Sequence, residues 1–210
     1  MNMTWRTLTV GHFLDLYRIS GLDKDEMEKA ELAVGAIYSK TPSQVEDLKM
    51  SEFLTLSKVA GSFLTGPIPG KAVRNIKVGL KKYKIEYDPK KLAQRQYVEV
   101  VHFATEPIEN MALIMASIVR PVRFGVAYPN NANHHQDYVE DILKARVIDV
   151  YHTCVFFCSQ FRDLMKCTLD YLETTKERIT KKDRAMIMSS INAMVGFTRP
   201  QRSPNTRELV

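Results

Sequence analysis

Cysteine and histidine are the residues of this chain whose types and spacing come nearest to a chemical site. Cys154 and Cys158 are four positions apart, so on a helix they lie on the same face. A zinc site needs two further ligands close by, and His152 is the one candidate in that segment. Small, buried core residues are the simpler interpretation of the pair. We therefore predict neither a metal nor a cofactor at these positions.

His134 and His135 stand side by side in the polar segment 128–135. Adjacent residues on an irregular loop rarely point at one ion, and no nearby carboxylate or cysteine spacing completes a site. We interpret the pair as an exposed loop tip that contacts a partner. His12 and His102 fall on amphipathic helical segments, and no nucleophile is spaced to pair with them. The sequence therefore predicts no catalytic residues and no enzyme.

The composition is that of a globular protein with an excess of positive charge. The 210 residues suffice for one large domain or two small ones, and the formal net charge is +6. Three cysteines without a secretory signal fit a reducing compartment. No run approaches the roughly 18 apolar residues of a membrane span. We expect a soluble protein that does not bind a membrane. The excess of positive charge suggests an acidic binding partner.

Apolar residues recur at helical spacing through most of the chain. The clearest local signal is Thr41-Pro42-Ser43-Gln44, in which Thr41 can cap a helix, Pro42 suits its first position and Gln44 can reach back to the cap. Residues 138–172 indicate one long helix or two in succession. A final helix, rich in methionine, is predicted from about 181 to 195.

Residues 71–88 depart from this pattern, because their apolar positions alternate with a period of two around a glycine. This predicts a β-hairpin. Lys82 and Lys84 then point away from Tyr83 and Ile85, which leaves one basic and one apolar face. The predicted partner-binding residues of the hairpin are Lys77, Lys81, Lys82 and Lys84.

Three interpretations of this basic face remain open. It is a solvated surface that protects the sheet edge against aggregation, a docking face for an acidic protein, or a nucleic-acid contact. Nucleic acid ranks below the other two, because no helix-turn-helix, RNA-recognition or zinc-finger pattern accompanies the lysines.

The two sides of the hairpin show a weak internal duplication. The blocks that overlay in the same order are 7–16 with 91–100, 28–37 with 109–118, and 45–48 with 139–142. The last block contains Val-Glu-Asp in both copies. Since any two amphipathic helices can be aligned by sliding, chance similarity is the alternative. We predict a mainly α fold with two weakly duplicated helical units, 1–70 and 89–195, joined by the hairpin 71–88.

The last residues, 196–210, lack a helical pattern and are predicted to form an extended tail. Such a tail is either a frayed terminus or an arm that binds a neighbouring subunit. Its candidate contact residues are Phe197, Arg199, Arg202, Arg207 and Leu209.

Four segments carry a resemblance to a known group: Leu8 to Leu16, Leu48 to Phe53, Tyr83 to Asp88 and Tyr97 to Val100. They resemble small α-helical proteins encoded among the structural genes of tailed bacteriophages, especially the crAss-like phages of gut Bacteroides. The resemblance covers most of residues 4–165. The histidine-containing loop and the basic tail depart from it.

The resemblance implies a non-enzymatic virion structural protein. Its expected place is a ring of the neck or tail, in the head–tail connector region, or an internal cargo subunit. Its expected partners are other phage structural proteins and copies of itself, arranged as a homo-oligomeric ring. It would be found in the virion, and in the host cytoplasm during assembly. The alternative is a tail-assembly chaperone that binds the tape-measure protein and leaves the finished particle.

Overall fold

A computed structural model describes residues 3–174 and 180–198 of the chain. The chain divides into two compact units. Of the described residues, unit 1 contains 3–70 and 146–148, and unit 2 contains 71–145 and 149–198. The fold is mainly helical, with a small antiparallel sheet, as the sequence predicts.

Unit 1 is built from helices, and capping side chains stabilise the starts of the first three, whereas the fourth has no side-chain cap. The helices are α1 (Val10–Ser20), α2 (Glu26–Tyr38), α3 (Pro42–Glu46) and α4 (Met50–Thr65). Asp25 accepts a hydrogen bond of 2.8 Å from the backbone N–H of Glu28 at the start of α2. At α3, Thr41 Oγ1 accepts from Gln44 N while Gln44 Oε1 accepts from Thr41 N. This reciprocal pair confirms the predicted capping box.

An apolar cluster in unit 1 joins α2, α3 and α4. Val34 of α2, Val45 of α3 and Phe53 of α4 form one buried cluster. The side chains packed around it are Ala30, Tyr38, Leu48 and Leu56. Burial of such side chains is the main source of stability in a helical unit of this kind.

Unit 2 contains the remaining helices. They are α5 (Gln94–Phe103), α6 (Met111–Ile118), α7 (His135–Lys144), α8 (Val147–Thr174) and α9 (Lys181–Thr198). The first two residues of α8 are grouped with unit 1. Helix α6 is buried on almost every side, and in α8 the rings of Phe157 and Phe161 stack with centroids 5.7 Å apart. Two successive helices, α7 and α8, therefore account for residues 138–172.

Four strands of the described residues form one antiparallel sheet in unit 2. They are β1 (Asn75–Val78), β2 (Lys81–Ile85), β3 (Val119–Arg123) and β4 (Val126–Ala127), in the spatial order β1-β2-β3-β4. The first two strands confirm the hairpin. The third and fourth were not predicted, because Pro121 argues against a central strand in sequence-based reasoning.

The helix order agrees with the internal duplication. In the overlay Val10 corresponds to Gln94, and these are the first residues of α1 and α5. Some core positions correspond, since both members of the pairs Val34 with Met115 and Val45 with Val139 are buried. Others do not, because Leu14 is buried whereas its counterpart Val98 is 60% exposed. The sheet extends the second unit beyond the shared pattern.

The end of α9 differs from the prediction. The helix continues to Thr198 instead of stopping near residue 195. Phe197 is therefore helical and only 7% exposed, and its ring meets Tyr151 edge-on with centroids 5.7 Å apart. The prediction that the extended tail begins at residue 196 is wrong for 196–198, because burial of this aromatic ring favours one more helical turn.

Candidate functional site

The predicted basic face exists on the sheet of unit 2. Lys77, Lys82 and Lys84 are all exposed, whereas Tyr83 and Ile85, which alternate with the lysines along β2, are buried. We call these three lysines the basic sheet face. Alternation of side chains along a strand produces this separation, since successive residues point to opposite faces.

Like charges face one another across the strands of this surface. Lys77 lies directly opposite Lys82, and Lys84 lies opposite Arg120 of β3. Arg120 is compensated by Glu86, whose Oε2 lies 3.5 Å from its Nη1. Within the described residues, none of the three lysine ammonium groups has a carboxylate oxygen within 4.0 Å. Like charges directly opposite destabilise a sheet, so the face carries positive charge that the fold itself does not neutralise.

Lys81 is placed differently from the other three lysines. Its Nζ donates a hydrogen bond of 2.7 Å to Oδ2 of Asp141 in α7. The hydroxyl of Tyr83 donates to the same carboxylate oxygen. Asp141 is only 7% exposed, so the carboxylate fastens β2 onto α7 from within unit 2. Lys81 therefore has a structural contact that joins the hairpin to α7. The basic sheet face consists of Lys77, Lys82 and Lys84.

The electrostatics of this contact follow from burial and from the two donors. Burial alone would raise the pKa of Asp141, but the hydrogen bonds from Lys81 and Tyr83 outweigh it and hold the pKa below its usual value. The hydrogen bond to Asp141 raises the pKa of Lys81, against the effect of its burial. Burial, followed by the hydrogen bond to Asp141, raises the pKa of Tyr83 well above its ordinary range. All three groups keep their usual charge at neutral pH.

Sequence reasoning missed Asp141, although a signal was present. Tyr138, Asp141 and Ile142 lie at positions i, i+3 and i+4 of α7, and all three are buried. A carboxylate within an apolar helical stripe requires partners in the fold. Lys81 and Tyr83 are 60 and 58 residues away from Asp141 in the chain. The sequence therefore does not reveal that these two residues are the hydrogen-bond donors of its carboxylate.

The histidine and cysteine pairs have structural surroundings. His134 is exposed, and its Nδ1 lies 2.8 Å from Oδ2 of Asp137. His135 begins α7 and stacks on Phe103 with ring centroids 6.3 Å apart, so the prediction of an exposed tip holds for His134 alone. Cys154 and Cys158 are fully buried with sulfur atoms 4.0 Å apart, which confirms their place in the core.

Two further observations concern the part of the chain that the structure describes. There, no group of three or more histidine, cysteine, aspartate or glutamate side chains could hold a metal ion. The helices of that part include none with the length and apolar character needed to cross a bilayer. The predicted tail contacts Arg199, Arg202, Arg207 and Leu209 lie outside the described residues.

The arrangement is therefore an exposed row of lysines on a sheet that the buried carboxylate of Asp141 joins to α7. No protein-family model, curated protein or solved structure matches the chain. The surface itself is the basis for a functional argument.

Proposed function

We propose that this protein is a non-enzymatic structural subunit of a tailed-bacteriophage particle. Its place is a ring of the neck or tail in the head–tail connector region, or the internal cargo. It acts through protein–protein contacts, with other structural proteins and copies of itself as partners. The segments that resemble phage structural proteins, such as Tyr83 to Asp88, support the phage assignment.

The observation that carries this proposal is the uncompensated charge of the basic sheet face. Three exposed ammonium groups stand on adjacent antiparallel strands, two of them directly opposed. An acidic protein surface would relieve the repulsion between Lys77 and Lys82 while it gains complementary contacts of its own. Because the face lies on a sheet held by Asp141, the backbone that carries the three lysines is ordered before a partner arrives, which lowers the entropic cost of binding.

Particle composition tests the assignment directly. Quantitative mass spectrometry of purified particles of the phage that encodes the chain compares its copy number with that of the major capsid protein. A fixed stoichiometric ratio supports a virion subunit. Absence from the particles and from infected cells during assembly contradicts any virion role.

Charge reversal tests the basic sheet face. Lys77, Lys82 and Lys84 are changed together to glutamate, and a control changes the exposed Lys49, Lys58 and Lys166 in the same way. Both variants lower the formal net charge from +6 to 0. We expect the first variant to be lost from particles and the control to be incorporated, since the position of the charge decides docking. Equal incorporation of both variants would contradict the proposal.

A tail-assembly chaperone is the second candidate. The observation that favours it is the exposure of Met186 and Met188 on α9, which are 44% and 42% exposed. Methionine side chains adapt to varied apolar partners, such as a tape-measure chain before its assembly. Abundance in infected cells together with absence from mature particles would favour this candidate over the structural subunit.

A further inference from the structure

Two tight turns lie at the same end of the sheet and expose large apolar side chains. Gly79-Leu80 joins β1 to β2, and Phe124-Gly125 joins β3 to β4. Since Lys82 pairs with Val122 in an antiparallel register, both turns emerge at this end. Leu80 is 106% exposed and Phe124 is 102% exposed. We call these two residues the hydrophobic tip.

Phe124 occupies a backbone conformation that its side chain does not favour. Its φ is 49°, and Gly125 follows with a φ of 80°. Two-residue turns with two positive φ values strongly prefer asparagine or glycine, because a bulky side chain is strained there. A turn needed only to reverse the chain would be more stable with asparagine. An exposed aromatic ring kept in a strained turn indicates a contact surface.

The surroundings of the hydrophobic tip are basic. Lys81 and Lys82 follow Leu80 directly, and Arg123 precedes Phe124. Asp137 and Asp141 lie near the same turn, and the carboxylate of Asp141 is paired with Lys81. Lys82 and Arg123 have no carboxylate oxygen within 4.0 Å among the described residues, so the charge beside the tip is positive on balance. A partner for the tip must therefore offer an apolar pocket beside an excess of negative charge.

Unit 1 carries a pocket of that description between α2 and α3. Its volume is about 300 Å³, and its apolar wall includes Leu32 and Val45. A cavity of roughly 150 Å³ accommodates a benzene ring, so this pocket has room for a phenylalanine ring and more. Three carboxylates line it, from Glu28, Glu31 and Glu46, together with the ammonium groups of Lys24 and Lys40.

The charge of this region is opposite to that of the tip. The segment 23–47, which contains α2 and α3, has seven acidic and three basic residues, a net charge of −4. At the pocket, Lys24 is paired with Glu28 at 3.3 Å. Glu31 and Glu46 have no cationic nitrogen within 4.0 Å among the described residues. These two carboxylates are available to the basic residues beside an incoming tip.

We propose that the hydrophobic tip of one copy docks into the α2–α3 pocket of a second copy. The inference rests on the proposed structural function and names the partner, which is the same chain. Each copy then presents one tip and one pocket, so the contact is heterologous and continues from copy to copy. Contacts of this kind close into a ring or extend into a filament.

Sedimentation velocity of the full chain, over a range of concentrations, tests the proposal. We expect species larger than a dimer to grow with concentration. Phe124→Asn removes the ring and suits the left-handed turn, so the sheet should fold at least as well as before. Loss of an aromatic anchor should weaken association by roughly thirtyfold or more. Leu80→Asn is a second variant with the same expected direction.

The pocket is tested by Leu32→Lys, which replaces part of the apolar wall with a charge that repels the basic tip. Leu32 is 39% exposed, so the change does not open the core. The matched controls are Leu54→Lys in unit 1 and Val98→Asn in unit 2, at side chains that are 57% and 60% exposed. Neither control lines the pocket or the tip, and both should associate like the unaltered chain.

A mixing experiment decides whether the contact is heterologous. The Phe124→Asn chain keeps its pocket, and the Leu32→Lys chain keeps its tip. Each alone should stay monomeric, while an equal mixture should stop at a dimer with one intact contact. A mixture that stays monomeric overturns the proposal. A tip that occupies the pocket of its own chain would also give a monomeric unaltered protein, and that result overturns the proposal as well.

Three other outcomes also overturn it. One is a monomeric chain at every concentration, and another is association that Phe124→Asn leaves unchanged. The third is a tip that binds vesicles of anionic lipid while the chain fails to self-associate. Association that survives Phe124→Asn leaves the proposed structural function intact, whereas absence of the chain from particles contradicts that function.

Discussion

Replacing Asp141 with asparagine should destabilise the sheet of unit 2 at neutral pH. Asp141 is 7% exposed, and its carboxylate accepts hydrogen bonds from Lys81, at 2.7 Å, and from Tyr83. A hydrogen bond to a charged group contributes roughly 1.5–3 kcal/mol. The Lys81 side chain is 60% exposed, so solvent screens its ion pair to about 0–1 kcal/mol. The amide can still accept from Tyr83, and we expect a net loss of about 1–3 kcal/mol.

The pH dependence of this loss follows from the sign of the pKa shift. The folded protein holds the pKa of Asp141 below its ordinary value, so it binds fewer protons than the unfolded chain near that pH. The stabilisation is complete above the ordinary aspartate pKa of about 3.9 and disappears as the pH falls through the folded pKa. The difference in free energy of unfolding between the unaltered chain and Asp141→Asn should therefore become smaller in acid.

Thermal unfolding followed by circular dichroism measures the effect, from pH 7 down to roughly pH 2. In a chain of this length each kcal/mol corresponds to roughly 2–4 °C in Tm. Hydrogen exchange should also show lower protection of the β2 amides. Asp47→Asn is the matched control, since Asp47 ends the same Val-Glu-Asp tripeptide in unit 1 but is exposed. Equal shifts for both variants, or a loss at Asp141 that stays undiminished in acid, would refute the reasoning.

Three further changes test the fold by urea unfolding. Lys82→Glu places a carboxylate directly opposite Lys77 and should stabilise the sheet by about 0.2–1 kcal/mol. A destabilised sheet would contradict the argument that the two lysines repel each other. Phe157→Ala empties a fully buried site and should cost about 3–5 kcal/mol, so a near-neutral result would be inconsistent with its burial. Thr41→Ala removes a capping hydrogen bond and should cost about 0.5–2 kcal/mol, whereas Ser43→Ala, the control, should have little effect.

Local patterns were sufficient to predict much of this fold. The capping box at Thr41 depends on residues three positions apart, and the hairpin depends on alternation within a few residues. Both signals lie inside short windows of sequence. The basic sheet face was predictable for the same reason, because the positions of Lys82 and Lys84 relative to Tyr83 follow from strand geometry.

Contacts between distant residues were not predictable in this way. Strand β3 pairs with β2 across more than 30 positions, and Pro121 within it argues for a break instead of a strand. The contact of Lys81 depends on Asp141, which lies 60 residues further along the chain, in α7. The hydrophobic tip is likewise a product of register, since Leu80 and Phe124 become neighbours at one end only through the pairing of β2 and β3.

The tripeptide Val-Glu-Asp occurs in both units, and its aspartate has different surroundings in each. Asp47 follows the last residue of α3 as its C-cap and is exposed, whereas Asp141 lies inside α7 and is buried. A buried carboxylate is costly without donors, and the hairpin supplies them through Lys81 and Tyr83. The carboxylate in turn joins strand β2 of the four-stranded sheet to helix α7. Asp141 is thus the residue that joins the sheet, and with it the basic sheet face and the hydrophobic tip, to helix α7.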